Sequence, residues 1–135
     1  MIVADTCALL ALVNPDDEHH AQVLELWEGN PRRWVVPWAV LPELDYLMRA
    51  QLGNAAARLF LTDVAEGQFS IEHSQPGDIV RAAALDARYA ELALGLVDGV
   101  VIAVAERLHA TAIATLDLRH FGALDLPFKL YPRDL

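Results

Sequence analysis

The sequence is poor in cysteine and in positive charge. Its one cysteine, Cys7, leaves no partner for an internal disulfide or for a cysteine-based zinc centre, so a reducing compartment is expected. Ten basic residues stand against 19 acidic ones, a formal charge of −9, and this argues against broad electrostatic attraction to a polyphosphate. No run approaches the roughly 18 apolar residues that a membrane span needs. The stretch Met1 to Asn14 lacks the basic n-region and cleavage-site pattern of a signal peptide. A soluble, cytoplasmic protein with no membrane partner is therefore expected. Pro/Ser-rich linkers, repeats and low-complexity tracts are missing too, so residues 1–135 read as a single domain.

What is present is enough for a core: 55% of the 135 residues are apolar, within the usual size of one domain. Short apolar runs alternate with amphipathic stretches. Ile2 to Ala4 reads as a strand that ends at Asp5-Thr6, a pair suited to capping a helix over roughly Thr6 to Val13. Ala21, Leu24 and Trp27 recur at helical spacing until Gly29-Asn30-Pro31, and Trp34 to Val36 reads as a buried strand. Pro42 is tolerated only in a first helical turn, so the helix carrying Leu44, Leu47 and Met48 should begin near Ala39, with Glu43 close to its start. A further helix from Gly53-Asn54 to Ala65, a strand at Phe69 to Ile71 and a helix from Pro76 to about Ala90 follow. Asp98 is expected to open the next helix, Thr111 to Thr115 is a strand, and Phe128 to Leu130 is the last one. This alternation predicts an α/β sandwich around a mainly parallel sheet.

In such sheets ligands gather beyond the carboxyl ends of the strands, and the sequence puts acids there. Asp5 ends the first strand, Glu43 starts the helix after the Trp34 strand, Asp98 leads into the Thr111 strand and Asp117 follows it. Taken singly, Asp5 and Asp98 read equally well as helix caps, Glu43 as a first-turn acid favoured by the helix dipole, and Asp117 as a turn residue. Brought to one rim they would repel each other, and a hard divalent cation such as Mg²⁺, or Mn²⁺ as a substitute, would remove that cost. Such a centre suits phosphodiester hydrolysis.

The segments Asp5-Thr6, Leu41-Pro42-Glu43-Leu44-Asp45-Tyr46-Leu47, Asp98-Gly99-Val100-Val101-Ile102-Ala103 and Thr115-Leu116-Asp117-Leu118-Arg119-His120-Phe121 resemble, in order and spacing, the four acidic motifs of PIN domains. In length and compactness the chain is similar to VapC toxins of VapBC toxin–antitoxin pairs. The resemblance implies a PIN-like three-layer sandwich and a Mg²⁺-dependent endoribonuclease that cleaves RNA with a metal-activated water. It also implies neutralisation by a VapB-like antitoxin and homodimer formation. Asp5, Glu43, Asp98 and Asp117 would hold the metal, with Thr6 and Thr115 as auxiliary polar groups. Alternatives are a non-catalytic PIN scaffold that binds protein and a small metal-dependent phosphohydrolase.

Other residues carry less. His19 and His20 are adjacent and face different ways, which points to solvated surface, and His73, His109 and His120 have no partner at a ligand spacing. Cys7 reads as a small buried thiol. Trp27, Trp34 and Trp38 suit core or interface packing better than a base-stacking platform. Arg32, Arg33, Arg49, Arg58 and Arg119 are scattered candidates for RNA docking.

Overall fold

A computed structural model describes residues 1–135. Five strands and six helices follow one another as β1 (Ile2–Ala4), α1 (Thr6–Val13), α2 (His20–Gly29), β2 (Trp34–Pro37), α3 (Val40–Leu52), α4 (Asn54–Ala65), β3 (Ser70–Glu72), α5 (Pro76–Arg88), α6 (Gly95–Arg107), β4 (Ala112–Ala114) and β5 (Lys129–Tyr131). All strand pairs are parallel, in the order β3-β2-β1-β4-β5. The expected α/β sandwich is thus observed, and its sheet is wholly parallel.

The two middle strands explain why the order works. Every residue of β1 and β4 is buried, as strands covered on both faces should be. Their registers pair Val3 with Ile113 and Ala4 with Ala114, and Asp5 N–H donates to the Ala114 carbonyl at 2.9 Å. The chain winds outward from β1 through β2 to β3, then returns to the other side of β1 for β4 and β5. The reversal leaves a crevice beyond the carboxyl ends of β1 and β4, where open parallel sheets place their ligands.

The aromatic residues anchor the opposite flank. Trp34 is buried on β2 and meets Trp27 of α2 edge to face, with ring centroids 5.3 Å apart, and Phe69 lies 5.1 Å from both Trp27 and Phe60. Trp27 and Trp34 are therefore core residues, as their surroundings suggested, whereas Trp38 is exposed.

Helices α5 and α6 pack most closely, and a glycine permits it. A Cβ added to Gly99 would lie 2.7 Å from Ala82 Cβ and 2.8 Å from Ala82 Cα. Helix propensity alone favours alanine at an interior position by about 1 kcal/mol. Here the clash is with backbone and wins, so Gly99→Ala should destabilise the fold by about 1–3 kcal/mol. Denaturant unfolding should show a lowered midpoint with an unchanged slope; a raised midpoint would mean that the helices separate freely. Nearby, Arg107 at the end of α6 clamps Asp78 of α5 (3.0 Å) and Glu72 of β3 (2.8 Å). Burial pushes the Asp78 carboxyl up, but the guanidinium and the Gln75 N–H outweigh it and hold it below the usual range.

Candidate metal centre

Asp5 follows β1 directly and caps α1: its Oδ1 accepts the Thr6 N–H at 2.8 Å. Its other oxygen faces the neighbouring strand exit, where it accepts from Thr115 Oγ1 at 2.9 Å and from Cys7 Sγ at 3.3 Å. Thr115 Oγ1 in turn accepts the Asp117 N–H at 3.0 Å, and Cys7 Sγ accepts the Leu116 N–H at 3.2 Å. A hydroxyl and a thiol therefore lace the ends of β1 and β4 together around one carboxylate. The cap and the site turn out to be two ends of the same side chain.

Asp5 is 3% exposed, and its carboxyl is pushed up to about 6, first by burial and then by the charge on Asp98, against the three hydrogen bonds that lower it. Asp98, in the first turn of α6, is likewise raised, chiefly by burial, with Asp117 and Glu43 adding to the effect and His120 opposing it. The helix start places Asp98 near the positive end of the α6 dipole. Glu43 lies in the first turn of α3, exposed to solvent, close enough to Asp98 to influence it electrostatically. The Cys7 thiol is pushed up to about 12, mainly by burial, so it is protonated and unreactive.

The tightest grouping is one the sequence did not announce. Carboxylate oxygens of Asp98 and Asp117 and a ring nitrogen of His120 lie within 4.8 Å of one another. His120 Nδ1 is 2.7 Å from Asp98 Oδ2 and 3.2 Å from Asp117 Oδ2, and the His120 N–H donates to Asp117 Oδ1 at 3.1 Å. The spacing of Asp117 and His120 along the turn was the available signal. The approach of Asp98, 22 residues away, needed the fold.

Of the six residues expected at the site, Asp98 and Asp117 form this grouping with His120. Asp5 joins through Thr115 and through its coupling to Asp98, and Glu43 stands on the outer rim. Thr115 bridges Asp5 and Asp117, while Thr6 contributes its backbone N–H and leaves its buried Oγ1 without a partner. One surface expectation changes: His20 is half-buried, its Nδ1 2.8 Å from the Ala11 carbonyl. His19 keeps a partly solvated side chain and, with Gln22, Thr115, Leu116 and Arg133, lines a cleft of about 220 Å³.

The donor chemistry fits a divalent cation. Desolvated, mutually repelling carboxylates already held above their ordinary range are what such an ion stabilises.

A doubly wound parallel sheet with acids converging at its switch point defines a PIN-like α/β protein, and this chain belongs to the PIN-domain family, whose model matches residues 2–125. The chain is 32% identical over 123 residues to ribonuclease VapC26 of Mycobacterium tuberculosis, covering 91% of each chain. Among solved structures it is similar to M. tuberculosis VapC20, a toxin that cleaves the sarcin–ricin loop, with a TM-score of 0.82 at 23% identity over 91% of this chain and 95% of that one. It is also similar to a chain of FitAcB from Neisseria gonorrhoeae, with a TM-score of 0.73 at 18% identity over the whole of both chains. A chain of DNA-bound VapBC from Salmonella typhimurium gives a TM-score of 0.71 at 17% identity over 96% of this chain and 95% of that one.

Proposed function

We propose that this protein is a Mg²⁺-dependent endoribonuclease, the toxin of a type II toxin–antitoxin pair, built as one domain over residues 1–135. The observation that carries the reading is the convergence of Asp5, Asp98, Asp117 and Glu43 from four separate stretches of chain on one strand-exit crevice. Family membership and the likeness to a curated ribonuclease supply the reaction class.

When bound, the divalent ion supplies the positive charge that polarises a phosphodiester and makes a water nucleophilic near neutral pH. Asp98 and Asp117 would hold that ion, with Asp5 and Glu43 completing the acidic set. Thr115 fixes the oxygen of Asp5 that faces the crevice and, through the Asp117 N–H, the turn that carries the second acid. Thr6 holds the other oxygen of Asp5 by its backbone. The cleft beside Thr115, to which His19, Gln22 and the Asp134-paired Arg133 contribute polar groups, would offer an RNA strand an approach next to the strand end that carries Asp117. Of the arginines singled out in the sequence, Arg49 is paired with Asp45.

The reading includes a VapB-like antitoxin and a homodimer as partners, in keeping with the VapBC assemblies among its structural neighbours. Exposed Tyr46, Leu59 and Leu61 on α3 and α4 offer apolar surface for a partner segment. No helix is long and apolar enough to cross a membrane.

Incubating the purified protein with a panel of structured RNAs should give internal cleavage in Mg²⁺ and none in excess EDTA. Asp98→Asn should lower the rate by at least about a hundredfold, the scale on which loss of one transition-state charge contact is felt. Undiminished cleavage in EDTA would remove the metal from the account, and full activity of Asp98→Asn would remove Asp98.

A further inference from the structure

Four carboxylates alone would make an all-oxygen centre suited to Mg²⁺, with Mn²⁺ as a substitute. The structure adds a nitrogen. We propose that His120 Nδ1 is a protein ligand of the metal centre, making it a mixed oxygen–nitrogen site that binds Co²⁺ and Mn²⁺ in preference to Mg²⁺. The inference rests on the metal-centre reading above and deepens it.

Three observations carry it. First, ligand spacing: in an octahedral shell with bonds of about 2.1 Å, adjacent ligand atoms sit about 3 Å apart, and His120 Nδ1 lies 2.7 Å from Asp98 Oδ2 and 3.2 Å from Asp117 Oδ2. Both distances suit neighbouring positions in one coordination shell, and all three ligand atoms lie within 4.8 Å of one another. Second, position: the backbone N–H of His120 donates to the second oxygen of Asp117 at 3.1 Å, so the turn that presents the acid also fixes the stretch of backbone from which the ring reaches Asp98 and Asp117. Third, placement: the His120 side chain is only 20% exposed and that of Asp98 16%, so the ring is a fixed part of the crevice wall rather than a surface residue that happens to reach it. No lysine or arginine contacts Asp98 or Asp117 among the ion pairs of the structure; His120 is the one basic group there.

Imidazole nitrogen changes the choice of ion. Carboxylate and water suit Mg²⁺ and Mn²⁺, whereas imidazole shifts affinity toward the later first-row ions in the order Mn²⁺ below Co²⁺. The centre should therefore rank Co²⁺ above Mn²⁺ and Mn²⁺ above Mg²⁺.

The test uses the metal alone, with no RNA. The full-length protein, His120→Ala and Asp98→Asn are titrated calorimetrically with MgCl₂, MnCl₂ and CoCl₂, and the Mn²⁺ forms are examined by pulsed electron paramagnetic resonance for nitrogen coupling. The expected result is imidazole nitrogen coupling in the parent protein that disappears in His120→Ala, with Co²⁺ affinity falling about tenfold or more and Mg²⁺ affinity falling far less. Absence of nitrogen coupling in the parent overturns the inference. So does metal affinity that is unchanged or increased in His120→Ala, since the ring would then be only a hydrogen-bond partner that the ion displaces. Asp98→Asn separates the two levels: loss of all binding there beside a silent His120→Ala defeats the histidine alone, whereas unaffected binding in Asp98→Asn defeats the metal centre with it.

Discussion

Asp5→Asn should make the metal-free protein more stable at neutral pH while abolishing RNA cleavage. The carboxyl is 3% exposed and held at about 6 instead of its ordinary 3.8, so ionising it inside the fold costs about 3 kcal/mol more than ionising it in the unfolded chain. Asparagine imitates the protonated acid: one oxygen still accepts the Thr6 N–H, and an amide can meet Thr115 Oγ1. Part of the gain is offset where the Thr115 and Cys7 contacts rearrange, leaving about 1–3 kcal/mol. Cleavage should fall by at least about a hundredfold, because the substitution removes a charge placed where the reaction develops its own. Thermal unfolding in EDTA at pH 7.5, beside the RNA assay, checks both. A variant less stable than its parent would show that Asp5 is kept for the cap it makes on α1, and retained cleavage would take it out of the site.

Acids that cost the fold stability stand out at strand exits, and that made these positions legible in the sequence as a candidate site. Asp5 is legible twice over, as a cap after a strand and as an acid at a strand exit, and the structure makes it both. Pro42 fixed the start of α3, and hence the position of Glu43, since a proline has so few places in a helix. Asp98 does not open its helix as expected: the apolar Leu94 to Val97 resembles a run before a helix, but α6 opens at Gly95 and carries Asp98 in its first turn. That helix is buried on nearly all sides from Gly99 to Ala105, so its periodicity carries little information about where it begins. The strand at Phe69 to Ile71 lies one residue further on, at Ser70–Glu72, because Phe69 is drawn into the aromatic cluster with Trp27 and Phe60. For His120 the expectation of no ligand partner fails for a different reason. Its contact with Asp98 spans two elements, and no local pattern encodes it.

The acidity that first seemed to argue against a nucleic-acid substrate has a related explanation. Part of the −9 charge lies in a crevice that a bound cation would neutralise. On the proposed reading, contact with RNA would fall to a short, locally polar cleft instead of a basic face. Electrostatic steering of RNA would be weak in such a molecule, and selectivity would depend on shape and on the geometry of the centre.

The central claim is that these carboxylates act together on one ion, and stability measured against pH with and without metal tests it most directly. For Asp5 the folded pKa, about 6, lies above the unfolded value of 3.8, so the metal-free protein should lose about 3 kcal/mol as pH rises from about 4 through 6 and change little above that on this account. Asp98, raised in the same sense, adds to the loss. A divalent ion binds the ionised cluster of the folded state and not the unfolded chain, so it should restore that stability. The account predicts that millimolar Mg²⁺ or Mn²⁺ raises the unfolding temperature markedly at pH 8, little at pH 5, and not at all in Asp98→Asn. An equal shift at both pH values, or the same shift in Asp98→Asn, would mean that the ion binds elsewhere and that the acids at the strand exits do not form a metal centre.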